Sequence, residues 1–250
     1  MSHIVFSEYL NLKFKDSNIG FSNNLKNNRA AVIVEPRKHE FLEPVLRNVA
    51  TILNSSWNIY VVTFDIEWIK NILGSNWNIS FIKLNVDNLT QEQYSNLLMS
   101  KEFWELFKEE SILIFQSDCI FFKEGLEKFL EYDYIGPNYY NISHMTPLSN
   151  GIQGGVSLRK RSVMLECIDK VSYDSMNKYR ISKGFPIIDK VIEDVFFTHA
   201  CEILKKNVAT KKINSLFGIE ADYEPDTHCH HGFNKHYFSI KDAIGLVSDN

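Results

Sequence analysis

The chain has 250 residues, of which 44% are hydrophobic and 13% aromatic, and its formal net charge is −4. This length and apolar content allow one large α/β domain with a sizeable buried core. The negative balance and the lack of a basic block argue against nucleic acid as a main partner.

Several sequence features bear on the compartment in which the protein works. The segment from Met1 to Phe14 has no basic stretch followed by an apolar one, which argues against a signal peptide. No apolar run is long enough to cross a membrane, so no transmembrane segment is expected. The four cysteines are widely spaced and form neither a CxxC pair nor a disulfide framework, which indicates reduced thiols. We therefore expect a cytoplasmic protein, in the host cytoplasm if its source is a virus.

Residues 1–28 are polar and rich in asparagine, and we interpret them as an N-terminal extension. Residues 29–250 contain no internal repeat, low-complexity tract or linker-like segment. We interpret this second range as one domain.

The first half of that domain alternates strand and helix patterns. Apolar, β-branched runs predict strands, and apolar residues at helical spacing predict helices. Thr90, with Gln93 three residues later, predicts the capped start of a helix. The strands are predicted over 30–34, 57–64, 78–84 and 111–115, and the helices over 41–53, up to 73 and from 91 to about 104. This order predicts a parallel sheet with helices on both faces.

The second half shows weaker patterns. A short strand is predicted over 132–136, helices over 161–171 and 189–204, and a polar loop over 174–186, with weaker signals from Ala209 on. A glycine-rich segment, 150–155, leads into Val156-Ser157-Leu158-Arg159. Neither GxGxxG after the first strand nor GxxxxGK[ST] anywhere is present, which argues against dinucleotide oxidoreductases and P-loop enzymes.

Asp118 is the first candidate for chemistry, because it follows the buried strand at 111–115 in the sequence Gln116-Ser117-Asp118. The carboxyl ends of strands in open α/β sheets are where ligands bind. A carboxylate there suits Mg²⁺ or Mn²⁺, which can bridge phosphate oxygens as a Lewis acid. The alternative is that Asp118 only caps a turn.

A second candidate is the histidine cluster His228-Cys229-His230-His231 near the end of the chain. An imidazole ligand would favour Mn²⁺ over Mg²⁺. The spacing lacks the paired cysteines of a structural zinc site. A solvated or zinc-scavenging loop is the alternative interpretation.

Two further patterns have a functional and a structural interpretation each. Glu193 and Asp194 near the start of a helix complement its dipole, but Asp194 could be a general base if it shared a cleft with Asp118. Gly154 and Gly155 can form a tight turn, or allow close approach of the backbone to a ligand.

Together these residues resemble an uncharacterised family of GT-A-like glycosyltransferases with members in bacteria, fungi and giant DNA viruses. The resemblance extends from about Ala30 to about Phe233. The motifs that carry it are Ala31-Val32-Ile33-Val34-Glu35-x-Arg37-x-His39, Tyr94-x-Asn96-Leu97-Leu98 with Phe103-Trp104, Leu113-Ile114-Phe115-Gln116-Ser117-Asp118, Tyr132-Asp133-Tyr134-Ile135-Gly136, Gly154-Gly155-Val156-Ser157-Leu158-Arg159, Glu193-Asp194-Val195-Phe196-Phe197 and His231-Gly232-Phe233.

The resemblance implies a GT-A-like fold, with a mixed, mostly parallel central sheet flanked by helices. It also implies a divalent ion, Mn²⁺ or Mg²⁺, bound by an aspartate-x-aspartate motif that reads Gln116-Ser117-Asp118 here. Because Gln116 replaces the first carboxylate, strict metal dependence is in doubt. The implied metal ligands are Asp118 and His231, with His228 as second choice.

The remaining roles that the resemblance implies are catalytic, donor-binding and acceptor-binding. Asp194, with Glu193, matches the pair that supplies the base of inverting enzymes. The implied donor-binding residues are Glu35, Arg37, Asn96, Gln116 and Ser117, and the implied acceptor- and sugar-binding residues are Asn150, Gln153, Gly154 and Gly155.

The resulting hypothesis is a metal-assisted, inverting glycosyltransferase that uses a nucleotide-sugar, a UDP-sugar by preference, and a glycan, protein or small-molecule acceptor. One alternative is a nucleotidyltransferase, against which no glycine-rich, Arg- or Lys-bearing loop follows the first strand. The other is a GT-A scaffold that binds a glycan or protein without catalysis.

Overall fold

The computed structural model describes residue 10 and residues 26–74, 77, 79–139, 151–190, 192–220 and 224–232. The strands in these ranges are β1 (Arg29–Val34), β2 (Asn58–Thr63), β3 (Ser80–Lys83), β4 (Ser111–Phe115), β5 (Ile120–Phe121), β6 (Tyr134–Ile135), β7 (Val156–Lys160), β8 (Gly218–Ile219) and β9 (Cys229–His230). The helices are α1 (Leu42–Leu53), α2 (Ile66–Leu73), α3 (Gln91–Leu98), α4 (Lys101–Glu105), α5 (Arg161–Lys170), α6 (Tyr173–Ser182), α7 (Glu193–Ile203) and α8 (Lys211–Phe217).

The central sheet has six strands in the order β3-β2-β1-β4-β7-β6. The first four strands along the chain pair in parallel, with Val32 of β1 opposite Tyr60 of β2 and Ile114 of β4. Strand β7 is antiparallel to both β4 and β6. This is the mixed, mostly parallel sheet flanked by helices that the family resemblance implies.

The strand order places a crevice at the ends of β1 and β4. From β1 the chain first builds β2 and β3 on one side of the sheet, and then returns to place β4 on the other. The direction of winding therefore changes between β1 and β4. In open α/β sheets this switch point, at the carboxyl ends of the strands, is where ligands bind.

Both faces of the sheet are buried, because alternate residues of each strand point to opposite faces. Ala31 and Ile33 of β1 contribute to one apolar core, with α1 and α2. Ala30 and Val32 contribute to the other, with residues of α3, α4, α5 and α7. Leu10, from the range that we interpret as an extension, is fully buried in the first core.

A smaller sheet, in the order β5-β9-β8, brings the C-terminal histidines toward the crevice. Strands β8 and β9 are parallel, with Ile219 opposite His230. The backbone N–H of His231 donates to the carbonyl of Ile219 at 2.9 Å, which continues this register by one residue. His231 therefore lies beside Glu220.

Two elements differ from the sequence-based predictions. Within the polar stretch predicted as a loop over 174–186, residues 174–182 belong to helix α6, so the prediction is wrong there, whereas 183–186 lie outside any helix or strand. In α6 only Met176 and Arg180 are buried, so it has almost no apolar period, and its start is fixed by the capping box of Ser172 and Ser175. The single helix predicted from residue 91 is two helices, since Ser100 caps the start of α4 and interrupts the first.

Other predictions hold with small changes of boundary. The capping box of Thr90 and Gln93 is present at the start of α3. The helix predicted from 189 begins at Glu193. All four cysteines are buried thiols that form no disulfide. Among the described residues, no helix combines the length and apolarity that a membrane span requires.

Candidate functional site

A cavity of about 380 Å³ lies at the switch point of the sheet. One wall is formed by residues at the carboxyl end of β1 and the other by residues directly after β4. The position of the cavity is therefore set by the order of these strands in the sheet. The loop before α3 and its first turns close the third side. The lining residues are Val34, Glu35, Pro36, Arg37, His39, Asn88, Leu89, Thr90, Gln91, Tyr94, Gln116, Ser117 and Asp118.

The first wall carries a fixed ion pair of Glu35 and Arg37. The Glu35 carboxylate is buried and accepts hydrogen bonds from Arg37 Nε at 2.7 Å and Nη2 at 2.8 Å. It also accepts one from Ser117 Oγ at 3.3 Å, across the cavity. The bond to Glu35 raises the pKa of the Arg37 guanidinium, whose side chain is 53% exposed. Arg37 thus presents a permanent, oriented positive charge to the cavity.

Asp118, on the other wall, lies beside His231, which is itself outside the cavity lining. His231 Nε2 lies 3.6 Å from Asp118 Oδ1 and 3.2 Å from Gln116 Oε1, and its Nδ1 lies 3.5 Å from Glu220 Oε1. Only 9% of the His231 side chain and 17% of the Asp118 side chain are exposed.

This donor set fits a divalent ion that takes two ligands from the protein and the rest from a ligand and water. A carboxylate oxygen and an imidazole nitrogen suit Mn²⁺ and, less well, Mg²⁺. Ions of this type are commonly held by one or two carboxylates together with substrate phosphates. In the part of the chain that the structure describes, no group of three or more His, Cys, Asp or Glu side chains is arranged to hold a metal.

His228 is placed elsewhere. Its Nδ1 hydrogen-bonds the carbonyl oxygen of Leu216 at 3.0 Å, and its ring packs edge-on against Phe129 at 5.3 Å. Burial lowers the pKa of His228 to about 4. The structure does not bring it to Asp118, so of the two predicted histidines only His231 lies beside Asp118.

The Gly154–Gly155 segment lies between the candidate metal ligand His231 and the predicted base, Asp194. A Cβ atom on Gly155 would lie 2.0 Å from His231 Nε2, and one on Gly154 would lie 2.1 Å from Glu193 Oε1. Both are far inside contact distance, so only glycine allows these approaches.

Asp194 is held with its carboxylate against this glycine segment. Its Oδ2 accepts the backbone N–H of Gly154 at 2.9 Å, its Oδ1 accepts that of Val195 at 2.7 Å, and the Tyr139 hydroxyl also bonds to it. Burial, and then the charge of Glu193, raise the pKa of Asp194 from 3.8 to about 6. A carboxylate of this basicity is suited to accept a proton near neutral pH.

Glu193 is engaged in a different contact. Its two oxygens accept hydrogen bonds from Arg159 Nη1 at 2.7 Å and Nη2 at 3.1 Å, and the Arg159 side chain is fully buried. The guanidinium also lies over three aromatic rings, those of Trp104, Tyr134 and Phe197. This pair anchors the first turn of α7 to β7, so Asp194, the next residue, is fixed in place.

The remaining predicted residues are placed as follows. Asn96 lies on the exposed face of α3, outside the cavity lining, whereas Tyr94 lines the cavity. Gln153 donates a hydrogen bond to Glu220 Oε2 at 2.5 Å. Asn150 lies outside the described residues.

Sequence reasoning assigned no role to several residues of the site, among them His39, Tyr94, Tyr139 and Glu220, although His39 and Tyr94 stand in its motifs. The Thr90 capping box gave a usable signal for Tyr94, because it fixes which side chains of the first turns of α3 face the switch point. Glu220 had no local signal, since only the pairing of β8 with β9 brings it to His231.

Comparison with known proteins gives the family and the fold. Residues 77–234, more than half of the chain, match the family described as "Protein of unknown function (DUF5672)", and the chain belongs to this family. It matches no functionally curated protein. Among solved structures, it is similar to the galactosyltransferase LgtC in complex with donor and acceptor sugar analogs, with a TM-score of 0.56 and 13% identity over 88% of this chain and 95% of that one. At this identity the likeness shows the fold alone, and it confirms the GT-A-like fold.

Proposed function

We propose that this member of the DUF5672 family is a glycosyltransferase that moves a sugar from a nucleotide-sugar, a UDP-sugar by preference, to an acceptor hydroxyl with inversion. The observation that carries the proposal is the convergence on Gly154 and Gly155. On one side is Asp194, with a pKa of about 6, and on the other is His231, which lies beside Asp118 of the switch-point cavity.

Each side of the site suits one part of such a donor. The cavity lies where α/β sheets bind nucleotides, and Arg37 offers a positive charge to a diphosphate. Asp118 and His231 would hold the divalent ion, Mn²⁺ or Mg²⁺, which when bound neutralises the negative charge of the departing nucleoside diphosphate.

Asp194 would act on the acceptor. As a carboxylate it takes the proton of the acceptor hydroxyl, while the oxygen attacks the anomeric carbon from the face opposite the leaving group. Tyr139 and the N–H of Gly154 orient the carboxylate for this step. Glu193 remains paired with Arg159 and acts by positioning Asp194.

The first test of this proposal is thermal unfolding with UDP, UDP-sugars and other nucleotide-sugars, each with and without Mn²⁺. A ligand that binds only the native state at a hundredfold excess over its Kd adds about 2.7 kcal/mol of stability. We expect a stabilisation by UDP-sugars that requires Mn²⁺ and is lost in Asp118→Ala. No stabilisation by any nucleotide-sugar would contradict the proposal.

A second test addresses the reaction. A nucleotide-sugar that stabilises the protein is incubated with a panel of acceptors, and release of the nucleoside diphosphate is measured. The anomeric configuration of the product is then determined by NMR. Inversion is expected, and a product that retains the donor configuration would overturn the single displacement through Asp194.

One observation favours a second candidate, a scaffold that binds a glycan or protein without turnover. Gln116 stands where a second carboxylate would strengthen the metal site, and it adds no charge. Donor binding without turnover over a broad acceptor panel, at protein concentrations that would reveal slow hydrolysis of the donor, would favour the scaffold.

A further inference from the structure

Glu220 is, among the described residues, the carboxylate that approaches the Nδ1 side of the His231 ring. Its Oε1 lies 3.5 Å from His231 Nδ1, a buried nitrogen that makes no hydrogen bond to any described residue. Buried polar atoms in proteins are normally hydrogen-bonded, and the Glu220 carboxylate is the group that faces this nitrogen.

The position of Glu220 is built into the fold. The parallel register of β8 and β9 extends one residue beyond the strands, through the bond from His231 N–H to the Ile219 carbonyl, and so sets the two side chains side by side. Gln153 holds the other oxygen of Glu220 at 2.5 Å. The Glu220 carboxylate is therefore fixed from two directions, and only 17% of its side chain is exposed.

The chemistry of the neighbours decides which ring nitrogen carries the hydrogen. A carboxylate can only accept hydrogen bonds, so Glu220 favours a hydrogen on Nδ1. On the other side of the ring, Nε2 faces two acceptors, Gln116 Oε1 at 3.2 Å and Asp118 Oδ1 at 3.6 Å, which compete with Glu220 for the hydrogen. Rotation of the Gln116 amide would bring its NH₂ group to Nε2 and remove one of these competitors. With the hydrogen on Nδ1, the lone pair of Nε2 points toward Asp118.

We propose that Glu220 is a positioning residue that keeps the hydrogen of His231 on Nδ1 and thereby leaves Nε2 free to ligate the divalent ion with Asp118. This inference rests on the proposed metal-assisted transfer. Without Glu220, the hydrogen is better placed on Nε2, where Asp118 and Gln116 can accept it, and the metal-facing nitrogen is then blocked. Carboxylates that orient a histidine ligand in this way typically change metal affinity by about 10–100-fold.

The experiment uses the full-length chain and has two readouts that do not depend on catalysis. The first is the Kd for Mn²⁺, measured by electron paramagnetic resonance of the free ion. The second is the pair of ¹⁵N shifts of His231 in the metal-free protein, assigned by their loss in His231→Ala, which report which nitrogen carries the hydrogen.

In the wild type we expect hydrogen on Nδ1. In Glu220→Ala we expect it to move to Nε2, with Mn²⁺ bound about 10–100-fold more weakly. Glu220→Gln keeps the size and an acceptor oxygen but not the charge, so its Mn²⁺ affinity should fall between the two, and it serves if the alanine variant does not fold. Glu224→Gln is the matched control, because Glu224 is bonded to its own loop at Asp226 N–H, and it should leave both readouts unchanged.

Two results would overturn the inference. One is hydrogen on Nε2 alone in the wild type, and the other is unchanged ¹⁵N shifts and Mn²⁺ affinity in both Glu220 variants. If the wild type binds no Mn²⁺, the metal-assisted function fails, while the ¹⁵N shifts still test what Glu220 does to His231.

Discussion

At the scale of single residues, Asp194 carries the most specific chemistry. Its raised pKa of about 6 arises from burial and from the neighbouring charge of Glu193. Since the proposed base must be deprotonated, we expect kcat/KM to rise with pH and to level off above about 6. We expect Asp194→Asn to lose about 10²–10⁴-fold in rate, the usual contribution of a general base. Initial rates between pH 4.5 and 8.5 measure both effects.

The same helix offers a matched control for this prediction. Glu202 is also a carboxylate of α7 whose pKa is raised by burial, but it bonds the Tyr179 hydroxyl, outside the site. Glu202→Gln should keep the wild-type rate and pH profile. Full activity in Asp194→Asn, or a profile that is flat through pH 6, would exclude Asp194 as the base.

Asp194 also has a consequence for stability, and its sign follows from its pKa. A carboxyl group with a pKa of about 6 in the folded protein and 3.8 in the unfolded chain binds its proton more tightly when folded. Its contribution is therefore fully present below pH 3.8 and is lost as the pH rises through 6. At pH 8 we expect Asp194→Asn to have the same or a higher free energy of unfolding, by up to about 3 kcal/mol.

Denaturant unfolding of both proteins at pH 5 and pH 8 tests this expectation. The gain from Asp194→Asn should be larger at pH 8. A clear loss of stability at pH 8 would mean that the hydrogen bonds of the carboxylate outweigh its desolvation.

At the scale of elements, the turn into β7 has to pass between β9 and α7. It can do so only because Gly155 has no side chain, since a Cβ would lie 2.0 Å from His231 Nε2. We expect Gly155→Ala to displace the imidazole and to weaken Mn²⁺-dependent donor binding at least about tenfold, as loss of one aligned ligand would do. Isothermal titration with donor and Mn²⁺ measures this.

Gly74 supplies the control for Gly155. It has a positive φ of 79°, and a Cβ there would meet nothing within 4 Å. With its ψ of −176° this is a conformation that is essentially restricted to glycine, so Gly74→Ala should cost about 1–3 kcal/mol of stability through backbone strain and leave donor binding unchanged. Equal effects of the two substitutions on donor binding would show that the close approach at Gly155 is unimportant.

At the scale of the whole molecule, the reactivity of the four cysteines reports how often the two apolar cores open to solvent. All four are buried thiols, although they lie far apart in the sequence, and Cys167 and Cys201 approach each other to 3.9 Å between sulfur atoms. We expect none of them to react with a thiol reagent until the domain opens, so labelling should follow unfolding. Rapid labelling of any cysteine in the native protein would contradict this packing.

Labelling is followed by mass spectrometry in native buffer and in guanidinium chloride, where four labels are expected. The rate in native buffer should fall when a stabilising donor is bound, because binding to the native state reduces the open population.

Much of this protein was determined by local sequence. The strands of the parallel half were predictable because buried strands are short, apolar and β-branched, and β4 was predicted at its observed bounds, Ser111–Phe115. Asp118 could be placed at a ligand-binding edge, since the carboxyl end of such a strand is fixed by topology. The motif that carries Glu193 and Asp194 was likewise visible in the sequence.

Only the tertiary structure decided how these pieces meet. Glu193 bonds Arg159 while Asp194 faces the glycine segment, and His231 reaches Asp118 where His228 does not. Helix α6 escaped prediction because its sequence has no apolar period, and Glu220 escaped because it reaches His231 through strand pairing. Local patterns report burial and backbone preference, whereas the partner of a polar side chain depends on contacts between residues far apart in the sequence.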